Sequence, residues 1–131
     1  MNATVASTLA LTALRVVAAF IFITSGTTKI FEFPSGMPAG TIVEPFNLAW
    51  FGGWLEIVFG ALIGLGLCTR PIAFLASGMM AVAYFKFHAP ASFWPTINGG
   101  TPAILFCFIW LYFAAAGAGP WSVDAMRGGK R

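Results

Sequence analysis

The chain has 131 residues, of which 59% are hydrophobic and only 8% charged, with a net charge of +3. A soluble domain carries about 25% charged residues, so this chain has too few to cover a water-facing surface and reads as an integral membrane protein. The positive excess comes largely from Arg127, Lys130 and Arg131; it is too small a patch to argue for nucleic acid and reads as a topology and lipid-surface signal.

Residues 5–30 form the first predicted span, apolar apart from Arg15 and a closing Lys29. The start lacks the basic region and A-x-A exit of a cleaved signal peptide, so the run is expected to stay as a signal anchor. Arg15, Phe22 and Lys29 recur at a heptad spacing and share one helical stripe, with Ala18, Ala19 and Gly26 beside it. Residues 31–47 hold Pro34, Gly36, Pro38, Gly40 and Pro45, which forbid a continuous helix. They read as an external loop on the membrane surface or folded over the bundle.

Asn47 is positioned to cap the second predicted span, residues 48–68. Its only charge is Glu56. Gly52, Glu56, Gly60 and Gly64 follow one another at four-residue steps and are expected on one face, a groove of missing side chains suited to close helix packing. Thr69 and Arg70 are read as a tight turn, with Pro71 opening a third span over residues 71–87. So short a connection makes the second and third spans antiparallel neighbours. Ser77, Tyr84 and His88 share a side of the third span, and Lys86 and His88 mark its exit from the hydrocarbon.

Residues 88–101 form a second external loop. Phe93 and Trp94 fit an interfacial anchor, as do Trp50 and Trp54. Asn98-Gly99-Gly100 is a turn, and Thr101 with Pro102 reads as a cap and first-turn pair for a fourth span over residues 102–118. Gly119-Pro120 ends it, Trp121 lies at the interface, and a short basic tail follows. The expected architecture is therefore all-α, a single domain forming a four-helix membrane bundle. With both termini cytoplasmic, Arg70, Arg127, Lys130 and Arg131 lie inside, and Lys29 and Lys86 outside.

An ionisable group in hydrocarbon is expensive unless it finds a partner, a proton or water. If the first span starts at Val5, Arg15 and Glu56 lie ~15 and ~18 Å from the inner edge and form a buried pair. If it starts at Leu9, Arg15 reaches the cytoplasmic surface and Glu56 stands alone and protonated. The pair is the expectation, either as glue between helices or as a functional centre. A second set, Lys29, Tyr84, His88 and Asn98, gathers near the external interface. Its donors could hold an anion or the carbonyls of a quinone headgroup. Interfacial snorkelling is the favoured account of Lys29 and Lys86, while for His88 with Asn98 a helix-capping role stands level with a binding one.

Other chemistries find no support in the sequence. One histidine cannot supply bis-His haem ligation, and Met79 and Met80 read as packing. Cys68 and Cys107 both fall in predicted spans and suggest neither a disulfide framework nor a redox CxxC. No zinc, iron–sulfur or nucleotide motif occurs.

The ordered set of Arg15, Gly26 with Lys29, Glu56 among its glycines, Thr69-Arg70, His88, Phe93-Trp94, Asn98-Gly99-Gly100, Gly119-Pro120 and Ser122-Val123-Asp124 resembles the DoxX family of small bacterial and archaeal membrane proteins, over nearly the whole chain. The resemblance implies a four-helix protein of the bacterial inner membrane. It also implies an oxidoreductase role, through relatives that are subunits of thiosulfate:quinone oxidoreductases or partners of thiol-redox enzymes. Relatives often continue Asn-Gly-Gly with Glu; Thr101 stands here, so no role for that carboxylate carries over. The expected function is a membrane subunit of a redox system that presents quinone to a protein partner. A small proton-coupled transporter and a non-catalytic assembly subunit, in a homo-oligomer or a larger complex, are the alternatives.

Overall fold

A computed structural model describes residues 2–38, 41 and 43–128. Lys130 and Arg131, assigned above to the cytoplasmic tail, and the loop residue Gly40 lie outside them. Among the described residues the secondary structure is entirely helical. Two compact units are present, one made of the residues up to Cys68 together with those from Ala118 onward, the other of Thr69–Gly117.

The first unit is built on α1, Ala3–Phe31, and α2, Leu48–Leu65. Both are long and apolar enough to cross a membrane. The Asn2 side chain caps α1 by accepting from the Val5 amide at 2.9 Å, and Asn47 does the same for α2 through the Trp50 amide at 2.8 Å. The second cap is the one the sequence indicates.

Helix α2 stops at Leu65, short of the expected Cys68, because Gly66 adopts φ +72°. A left-handed residue there ends the helix as glycine commonly does. Cys68 follows at φ +51°, so the turn lies in residues 66–68 and Thr69 and Arg70 already belong to the next helix. The short helix α6, Val123–Met126, completes this unit, capped by Ser122.

In the second unit α3, Thr69–Ala83, continues through a π-helical turn, Tyr84–His88. Helix α5, Thr101–Ala116, packs against α3, and the four-residue α4, Pro95–Asn98, lies in the connection. Gly100 occupies the cap position of α5, so Thr101 and Pro102 are its first two residues. Trp110 and Phe113 on α5 and Ala73 and Ala76 on α3 are fully buried. In contrast, Phe74, Leu75, Phe85, Leu105 and Phe108 are more than half exposed. A helical protein that leaves this much apolar surface uncovered is built for a hydrocarbon surround.

Candidate functional site

The α1–α2 contact is a close approach of two backbones. A Cβ on Gly26 would lie 2.5 Å from the Gly53 carbonyl oxygen, and one on Gly60 would lie 3.2 Å from the Ala19 carbonyl oxygen. Gly64 meets Ala19 in the same seam. Gly52, expected in this groove, faces open space instead, and Gly53 takes its place. Four-residue steps advance ~40° beyond a full turn each, so a stripe drawn from Gly52 to Gly64 winds off the contact. Alternating steps of three and four, through Gly53, Glu56 and Gly60, stay on it.

Within this seam Glu56 is buried, and its carboxylate accepts two hydrogen bonds from Lys29 Nζ, at 2.8 and 2.7 Å. Lys29 gives its third hydrogen to Ser25 Oγ at 3.2 Å. The ammonium is thereby saturated, and charge is balanced inside the seam.

The expected pair of Arg15 with Glu56 is not formed. Gly26 lies level with Gly53 and Ala19 with Gly60. This antiparallel register sets Arg15 beside Gly64, ~12 Å along the axis from Glu56. Helical side chains lean toward their own N-terminus. Arg15 and Glu56 therefore lean apart, whereas Lys29 and Glu56 lean together.

Arg15, only 3% exposed, spends its guanidinium on backbone carbonyls instead. Nε donates to Gly64 at 3.4 Å, Nη2 to Trp121 at 2.8 Å, and Nη1 to Ala118. Asp124 supplies the compensating negative charge nearby. Asp124 also stitches the segment to the end of α2. Its amide donates to the Gly66 carbonyl at 2.8 Å, and its Oδ1 accepts from the Cys68 amide at 2.9 Å. Gly66 is required twice over, by its positive φ and because a Cβ there would collide with Ser122 Cβ. Asp124, part of the Ser122-Val123-Asp124 motif, carries no site role in the sequence-based expectations, and Ser25 does not figure in them. Asp124 had a legible signal, since a basic group buried in a span needs an acid and the chain has only four.

The external set divides. Lys29 belongs to Glu56, and Lys86 is exposed. Tyr84, His88 and Asn98 do come together, within the second unit. Asn98 Nδ2 donates to Tyr84 Oη at 3.2 Å and to the Ser92 carbonyl at 2.7 Å, while Asn98 Oδ1 accepts from the Gly100 amide at 2.7 Å. The Tyr84 hydroxyl donates to the Phe93 carbonyl. His88 Nδ1 lies 3.1 Å from the Asn98 carbonyl oxygen.

The π turn produces this grouping. The Ala89 amide bonds the Tyr84 carbonyl five residues back, at 2.9 Å, and the wider turn stacks the Tyr84 and His88 rings at 6.3 Å and 26°. Such turns occur often at functional sites.

Tyr84 also lines a half-open cleft of about 370 Å³ in the second unit, with Met80, Phe85, Phe93, Ile104 and Cys107 among its walls. The walls are almost wholly apolar, so the cleft suits a hydrocarbon chain or ring rather than an ion. Deeper in the same unit Ser77 Oγ donates to the Cys107 carbonyl at 2.7 Å. No cluster of three His, Cys, Asp or Glu side chains exists among the described residues to hold a metal.

Long apolar helices, a glycine seam closed by a buried ion pair and a lipid-facing surface define a small helical membrane protein. The DoxX family description matches residues 10–89, and the chain belongs to the DoxX family. It is 41% identical over 114 residues to an uncharacterized protein of Haemophilus influenzae, covering 85% of each chain. No solved structure matches the chain.

Proposed function

We propose that this DoxX protein is a membrane subunit of an oxidoreductase system in the bacterial inner membrane, holding a quinone for a partner enzyme. In this reading α1, α2, α3 with its π turn, and α5 are four spans with both termini cytoplasmic. The observation that carries it is the apolar cleft lined by Tyr84, with the Tyr84–His88–Asn98 network beside it. A flat apolar ring with a hydrocarbon tail fits a largely apolar cleft that has polar groups at one edge. Family membership supports the membrane setting. Purification from native membranes, with lipid extraction and mass spectrometry, tests the proposal. A co-purifying quinone and a redox-active partner are expected; neither appearing contradicts it.

A proton-coupled permease is the second reading, favoured by the buried Lys29–Glu56 pair. It predicts a substrate-induced proton flux in proteoliposomes that Glu56→Gln abolishes. The subunit reading predicts no such flux.

A further inference from the structure

The polar network beside the cleft has used up its own donors. The Tyr84 hydroxyl hydrogen goes to Phe93, and both Asn98 amide hydrogens go to Tyr84 Oη and the Ser92 carbonyl. Asn98 Oδ1 is taken by the Gly100 amide. His88 Nδ1 faces the Asn98 carbonyl, which can only accept, so Nδ1 carries the ring hydrogen. In the neutral ring Nε2 is then a bare lone pair. Nε2 has no partner among the described residues, and the side chain is half-buried rather than sealed.

The polar valence left open is therefore an acceptor, the reverse of the donor set expected from residue types alone. A quinone presents two carbonyl oxygens, also acceptors, and makes no hydrogen bond with such a nitrogen. A hydroquinone presents two hydroxyls that do. Building on the quinone-holding reading above, we propose that His88 Nε2 accepts a hydroxyl of the reduced, hydroquinone form. The cleft lined by Tyr84 takes the attached hydrocarbon. Pinning of the tautomer by the Asn98 carbonyl makes the site selective for the reduced headgroup. The Phe93 carbonyl holds the Tyr84 hydroxyl hydrogen, so Tyr84 offers no substitute donor.

The test uses the full chain in lipid nanodiscs under anaerobic conditions. Three probes with the same ring substituents and side chain are compared: a short-chain hydroquinone, the matching quinone and the hydroquinone dimethyl ether, which has no donor. The wild type is expected to bind the hydroquinone about tenfold tighter than either of the others. In His88→Phe all three should bind alike, at the level of the quinone. In His88→Gln, whose amide both donates and accepts, the quinone should rise to match the hydroquinone. This variant decides the matter if His88→Phe does not fold. Equal binding of quinone and hydroquinone by the wild type, or a preference that survives His88→Phe, overturns the inference while leaving a quinone site in place. Binding of none of the three probes removes the quinone reading itself.

Discussion

Lys29 Nζ reaches Glu56 at 2.7 Å even though the helix register puts the two backbones ~9 Å apart along the seam. The gap closes because α1 and α2 run antiparallel and each side chain leans toward its own N-terminus, hence toward the other. A short acid facing a long base across two glycines suits this geometry. Lys29 keeps its stem along apolar surface and is still partly accessible, at 19% of its side chain, while Glu56 is sealed at 6%.

The glycine seam makes a paired prediction. Gly26→Ala places a methyl 2.5 Å from the Gly53 carbonyl oxygen, a backbone atom that cannot move aside cheaply. A loss of about 2 kcal/mol in unfolding free energy is expected. Gly52→Ala meets nothing within 4 Å and should be neutral or stabilising by up to about 1 kcal/mol through helix propensity. Reversible unfolding of both variants in bicelles checks the contrast.

Arg15 ties the segment from Ala118 to Asp124 to the end of α2, donating to the Ala118 and Trp121 carbonyls on one side and to the Gly64 carbonyl on the other. Lysine has no planar fork, so Arg15→Lys should cost about 2–3 kcal/mol and free this segment. Limited proteolysis should then cut first between Ala118 and Arg127, a stretch expected to resist cleavage in the wild type. Asp124→Asn keeps an acceptor for the Cys68 amide but loses the charge, and should have the smaller effect.

Asn98 holds its loop with both ends of its amide. Asn98→Ala removes three hydrogen bonds, and a loss of about 2–3 kcal/mol is expected, with faster hydrogen exchange at the Gly100 amide. Asn98→Asp should do no better, since it keeps the acceptor for Gly100 but sets an anion against the Ser92 carbonyl.

Periodicity made the helices legible, because apolar runs, Asn47 and the Pro/Gly loop are local signals. The buried stripe of Arg15, Ala18, Ala19, Phe22 and Gly26 was equally plain from heptad spacing. Which charge meets which was not legible. Depth counted from each helix end carried an error of about two turns, and it ignored the direction in which a helical side chain leans. Gly53, rather than Gly52, depends on a phase drift of a few tens of degrees that four-residue counting hides. The donor balance at His88 was beyond sequence reasoning, since it rests on backbone carbonyls of Phe93, Ser92 and Asn98 whose directions only the folded loop defines. Cys68 was placed within a span; its left-handed turn conformation leaves it exposed.

Glu56 is the partner of Lys29 and not of Arg15. Two double-mutant cycles in bicelles test it, one with Lys29→Met and Glu56→Gln, the other with Arg15→Met and Glu56→Gln. Removing one partner of a buried pair is costly, about 3 kcal/mol, because the other charge is left exposed to hydrocarbon. The Lys29–Glu56 cycle should therefore show a coupling of about 2 kcal/mol, and the Arg15–Glu56 cycle less than about 0.5 kcal/mol. Strong coupling between Arg15 and Glu56, with none between Lys29 and Glu56, would contradict the account.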